Sequence, residues 1–121
     1  PIAEIHFDLQ QHRLDWGEPA AIDWTRPISF TLPLALPRRG GGLHTWAISH
    51  AEMAPLDREA RRSRLRATAR EHHPYRLGEM IVHSGHLLHQ AAPGVELDAG
   101  DERFTLQGHA LRRGGVWDLY W

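Results

Sequence analysis

The stretch RLGEMIVHSGHLLHQAAP, residues 76–93, reads as two short strands, 76–84 and 87–93, hinged at Ser84-Gly85 and closed by Pro93. Downstream, RFTLQGHAL (103–111) and VWDLYW (116–121) repeat the pattern, with Gly or Pro between runs. Upstream lie LHTWAIS (43–49) and ISFTLPLAL (28–36), where Pro33 restricts the strand to an edge or a bulge. PRRGGG between them reads as a turn, with Gly40, Gly41 and Gly42 inside it. Residues 2–10 alternate weakly through Ile2, Ile5, Phe7 and Leu9 and predict a further strand. Residues 11–27 are polar, punctuated by Gly17, Pro19 and Pro27, and predict a loop carrying Trp16 and Trp24. One helix is expected over 55–73, PLDREARRSRLRATAREHH, with Pro55 at its start, acids in its first turn and Pro74 as its stop. Seven short strands and one inserted helix predict a mainly β chain, a double-layer barrel or jelly roll. Alternating βαβ units, which need several crossover helices, are excluded.

Composition narrows the function classes. The 121 residues make one domain, 1–121, with a modest core. The net charge of −1 supplies no field selecting nucleic acid or an acidic membrane. All 14 basic residues are Arg, so Schiff-base chemistry is absent. Zero Cys excludes disulfides, a thiolate nucleophile and iron–sulfur ligation, and is compatible with the cytoplasm. No run of eighteen apolar residues occurs. The first motif begins five residues after Pro1, abruptly for a catalytic domain, so N-terminal elements are expected to precede it.

Two clusters carry chemistry. His6 and Asp8, in EIHFDLQ, lie two apart on an extended segment and share a face. A later His would complete a two-His, one-carboxylate set that holds Fe(II) on one side and leaves the other open. His83, His86 and His89 compete for that role. His89 is preferred and His86 is second, since His83 sits inside a strand and His86 in a turn. Fourteen residues after His89 comes Arg103, with Thr105 on the same face, a guanidinium fork and a hydroxyl suited to a carboxylate.

His-x-Asp, a distal His and Arg-x-Thr, in that order, resemble the Fe(II)/2-oxoglutarate-dependent oxygenases over most of the chain, including GGGLHTW and Gly78-x10-His89. The resemblance implies a double-stranded β-helix. It implies Fe(II) on His6, Asp8 and His89, and the distal carboxylate of 2-oxoglutarate on Arg103 and Thr105. The family couples decarboxylation of that co-substrate to oxidation of an unactivated C–H bond by O2. Asp8 is retained, unlike the halogenase branch. His109 stands where the alkylation-repair branch has a second Arg, and the chain has no Lys for the anion site of collagen-type prolyl hydroxylases.

A small or carrier-bound metabolite is the expected substrate, with no membrane partner. Gln10, Gln107 and His109 are inward candidates near the metal, and Trp16, Trp24 or Trp46 could line a substrate pocket. Segment 56–76 carries seven Arg against three acids, a net of +4, either a basic lid or a solvated helix with pairs such as Glu59 with Arg62. Nucleic acid is disfavoured because no aromatic residue lies within the helix to stack on bases. The competing readings are a cupin-like metal or ligand barrel without 2-oxoglutarate, and a silent barrel that binds a partner through its Arg-rich helix.

Overall fold

The computed structural model describes residues 3–17 and 21–121; Pro1, Ile2 and Pro19, which entered the readings above, lie outside the described residues. Seven strands form two antiparallel sheets: β1 (Ile22–Ala35), β2 (Gly40–Ser49), β3 (Arg70–His73), β4 (Ile81–Ser84), β5 (Leu87–Gly94), β6 (Phe104–Arg113) and β7 (Val116–Tyr120). The orders are β4-β1-β6-β7 and β3-β2-β5, so the fold is a mainly β, two-sheet sandwich. Among the described residues no helix is long and apolar enough to cross a membrane.

Strand β1 begins at Ile22, six residues earlier than expected, and lies between β4 and β6 rather than at an edge. Its two prolines are tolerated because each sits at a register shift in the β1·β6 ladder, between Asp23 and Ile28 and between Pro33 and Ala35. Each uses only its carbonyl, Pro27 accepting from Gly85 N and Pro33 from Gly78 N. The bulge expected at Pro33 is therefore present, and the edge is not.

Among the described residues the expected strand over 2–10 does not form. His6 makes a single antiparallel bridge with His89, and a 3-10 turn follows at Gln10–Arg13. The expected helix over 55–73 is also corrected. α1 (His50–Met53) precedes it, α2 spans Arg58–Ala67, and 70–73 pair with β2 as β3. Asp57 caps α2 by accepting from Ala60 N at 2.8 Å. Thr68 ends it, in extended geometry. Ser49 and Glu52 form a reciprocal capping box on α1. The Ser49 backbone and hydroxyl, with Arg64, hold the Glu52 carboxyl down at about 2.

The glycine run also differs from its reading, because Gly40, Gly41 and Gly42 open β2 rather than form a turn. Gly42 has φ +133, and a Cβ there would meet the His73 carbonyl at 2.5 Å. Only glycine lets β3 pass this close.

Apolar packing falls into two clusters. Trp46, Ile48, Met53 and Leu88, with Phe7, Leu56 and Leu65, seat the helices on the β2–β5 face. Ile22, Leu111 and Tyr120, with Trp16 and Trp24, close the other end. The remaining buried side chains include Asp8, Ser29, Thr31, Thr45 and His89. Buried polar groups are the informative exception in a small core, and here they mark the site.

We expect Gly42→Ala to cost about 1–3 kcal/mol, from backbone strain and overpacking. Gly100→Ala, where nothing lies within 4 Å, should stay within about 0.5 kcal/mol of the parent. Urea midpoints at equal slope measure both, and equal midpoints for the two variants would refute the close-approach argument.

Candidate metal centre

Alternation along the segment before the 3-10 turn sorts its side chains. His6, Asp8 and Gln10 face a cavity between the sheets, and Ile5, Phe7 and Leu9 border a groove beneath the helices. Two backbone contacts hold the segment against β5 and the turn that precedes it. His6 and His89 exchange N–H···O bonds of 3.0 Å in both directions, and Asp8 N donates to Gly85 O at 2.9 Å.

His6, Asp8 and His89 thereby bring one ligand atom each within 4.8 Å of the others, a group that could hold a metal ion. His6 Nε2 lies 3.5 Å from Asp8 Oδ1, and His89 Nε2 lies 3.3 Å from Asp8 Oδ2. Each ring is oriented from behind: His6 Nδ1 bonds the Glu4 carbonyl and His89 Nδ1 the Leu87 carbonyl, both at 2.8 Å. A carbonyl can only accept, so each Nδ1 carries a proton and each Nε2 is the ring nitrogen left facing the carboxylate. Two imidazole lone pairs and a carboxylate facing one another repel unless a cation lies between them. The donor set therefore fits a divalent metal.

Asp8 is held from the other side as well. Ser29 Oγ donates to Asp8 Oδ2 at 2.6 Å and lies 3.0 Å from His109 Nδ1. Burial opposes ionisation of Asp8, but the bonds from His6, His89 and Ser29 outweigh it and keep the carboxyl well below the usual carboxylate range. The Asp8 hydrogen bond raises His6 against its desolvation. Burial lowers His83 and His109, whose charged forms find little water here. Burial and the Asp8 charge push the Tyr120 phenol up to about 12.

The cavity measures about 200 Å³ and is also lined by Thr31, Tyr75, His83, Gln107 and His109. Gln10, expected to face inward, also lines this cavity. His86, the second-choice ligand, is in the β4–β5 turn, whereas the His83 ring is 4.4 Å from that of His89. Arg103 is exposed, donates Nη1 to the Ala92 carbonyl at 2.9 Å and borders a separate recess with Pro37 and Leu97. Thr105 is half-buried on β6 opposite Pro33. Trp46 packs under the helices, and Trp16 and Trp24 pack with Tyr120 and Ile22, so none of the three lines the cavity.

Sequence reading missed Ser29 and Tyr75. Ser29 shows only as a polar residue in an apolar strand, two before Thr31. Tyr75 carries no local signal; its hydroxyl is buried beside the cavity without a hydrogen-bond partner. Compared with family models, curated proteins and solved structures, the chain matches none.

His89→Ala should abolish stoichiometric divalent-metal binding in an anaerobic calorimetric titration. Ser29→Ala should weaken it by about 10–100-fold, the usual effect of losing a group that orients a ligand. Unchanged affinity in Ser29→Ala would remove that hydroxyl from the site's support.

Proposed function

We propose that this chain is the core of an Fe(II)- and 2-oxoglutarate-dependent oxygenase acting on a small or carrier-bound metabolite. The observation that carries the reading is the convergence of His6, Asp8 and His89, both rings tethered at Nδ1, on one side of a cavity between two sheets. Two nitrogens and a carboxylate with open positions opposite are the donor set of non-haem Fe(II) oxygenases. Fe(II) and 2-oxoglutarate, when bound, supply the O2 activation: substrate, O2 and 2-oxoglutarate give hydroxylated substrate, succinate and CO2.

The sheet wiring supports a double-stranded β-helix. β1 and β2, β3 and β4, and β5 and β6 each place one strand in either sheet. β1 pairs with β4 and β6 while β2 pairs with β3 and β5, so the three ribbons run side by side as turns of a two-stranded coil. In this reading His6, Asp8 and His89 hold the metal, and Ser29 with His109 keeps Asp8 ionised and aimed. Thr31 and Gln107, bonded to each other at 3.3 Å, and the unpartnered Tyr75 hydroxyl offer polar contacts to a ligand in the cavity. Arg103 and Thr105 are assigned the distal carboxylate of the co-substrate. Burial raises the Tyr75 phenol, and Thr31 and then the Arg103 charge act against it.

A second reading, a cupin-like metal barrel without 2-oxoglutarate turnover, is favoured by one observation: Arg103 is engaged with the Ala92 carbonyl and borders another recess. Anaerobic addition of Fe(II) and 2-oxoglutarate separates the two. The oxygenase reading expects a visible charge-transfer band that needs both components, slow succinate release on admitting O2, and loss of both in Asp8→Ala. Arg103→Ala should weaken 2-oxoglutarate binding at least about tenfold, the loss of a charge-assisted pair. Iron binding with no band and no succinate would establish the cupin-like reading instead.

A further inference from the structure

The outer face of the three-stranded sheet carries a second polar recess that the metal cavity does not use. Register sets His72, His44 and Gln90 side by side across β3, β2 and β5, so their side chains share one face. Further along, Gly42 opposes Ala92 and Gly40 opposes Gly94, so backbone rather than side chain floors the face. The result is a recess of about 570 Å³ lined by His44, Arg70, His72 and Gln90, with Gly40 and Ala92 among the small residues and Pro93 and Val95 beside them. Gln90 follows His89 and faces the opposite way, so the sheet itself separates recess from cavity.

None of the residues lining the recess is acidic. Arg70 is exposed and forms no ion pair among the described residues. Glu71 alternates to the other face and pairs there with His73. His44 is only 8% exposed, and its Nδ1 meets no hydrogen-bond partner. Unlike that of His6 or His89, its Nδ1 meets no carbonyl, so that nitrogen is left for a ligand that approaches it. Burial lowers His44, Arg70 and His72 lower it further, and a hydrogen bond with Gln90 works against them. Gln90 spends one amide N–H on the Ala3 carbonyl at 2.7 Å.

We infer that this recess binds a small oxyanion, the phosphate or carboxylate group of a ligand, between the Arg70 guanidinium and the His44 and His72 rings. A metal cation would sit against the Arg70 charge with no carboxylate to offset it. An oxyanion takes the guanidinium fork and two ring N–H groups together. The inference is independent of the oxygenase reading, because no residue lining the recess lines the cavity.

The test is a titration of the metal-free protein with inorganic phosphate, followed by calorimetry and by backbone amide shifts. One saturable phosphate per chain is expected, with shifts centred on Gly40, His44 and Arg70. Arg70→Gln and His72→Gln should each weaken it at least about tenfold, whereas Arg58→Gln, the same charge loss on α2, should change it less than about twofold. Acetate competing at the same amides would indicate a carboxylate ligand, and its failure to compete a phosphate ester; both outcomes uphold the site. No saturable binding at millimolar phosphate, or equal losses in Arg58→Gln and Arg70→Gln, would overturn it.

Discussion

Everything in this site depends on one antiparallel bridge. The reciprocal 3.0 Å bonds between His6 and His89 are the only strand-type pairing of the N-terminal segment among the described residues. They join positions 83 residues apart in sequence, so the loop-closure entropy of the whole domain must be offset before the ligands can meet. The Asp8 to Gly85 bond sets the angle of the segment, and Gly85 is where Pro27 of β1 also attaches. A Cβ at Gly85 would come within 3.3 Å of Ser29 Oγ and 3.5 Å of Asp8 Cβ. The turn that places His89 is thus packed directly against the carboxylate it serves.

The electrostatics follow from that placement. Asp8 is almost fully enclosed, yet the side chains around it are histidines, a serine and an amide rather than Arg. A buried carboxylate without a permanent countercharge is costly, and hydrogen bonds from its neighbours recover only part of that cost. Leaving one position for an external cation, a proton or a metal, is the arrangement that resolves it. Among the described residues no Arg lines the cavity: Arg38 and Arg39 pair with Asp98 and Glu96 in the loops, and Arg61 holds the Met53 and Ala54 carbonyls.

How much was legible in the sequence depends on whether the information was local. His6, Asp8 and His89 could be read because alternation and strand–turn–strand punctuation are local signals. The strand over 2–10 could not be settled that way, since its weak alternation is real but the segment pairs at a single residue. Segment 70–73, REHH, is charged and continues a helical composition; only its tertiary pairing with β2 makes it a strand. The early start of β1 was hidden by Pro27, which reads as a boundary and is in fact accommodated at a register shift. The tryptophans carried no positional signal, and packing rather than pattern decided that they lie away from the cavity. The cradle for Asp8, made of Ser29 and His109, comes from strands paired at a separation of eighty residues, which no local pattern reports.

Strand alternation also explains why one small sheet can bear two chemistries. On β5 the side chain of His89 enters the cavity while those of Leu88 and Gln90 face outward, one into the apolar cluster and one into the recess. On β2 Leu43 borders the cavity and His44 the recess. A one-residue slip of β5 against β2 would put Leu88 or Gln90 at the metal position and bury His89 among apolar side chains. Register is therefore the quantity the fold must protect. It is pinned at one end by the shift between Trp46 and Ser49, and at the other by Gly40, whose missing Cβ would strike Val95 N at 2.7 Å. With both ends of the ladder fixed, His89 has one position to occupy, and the bridge to His6 can form only there.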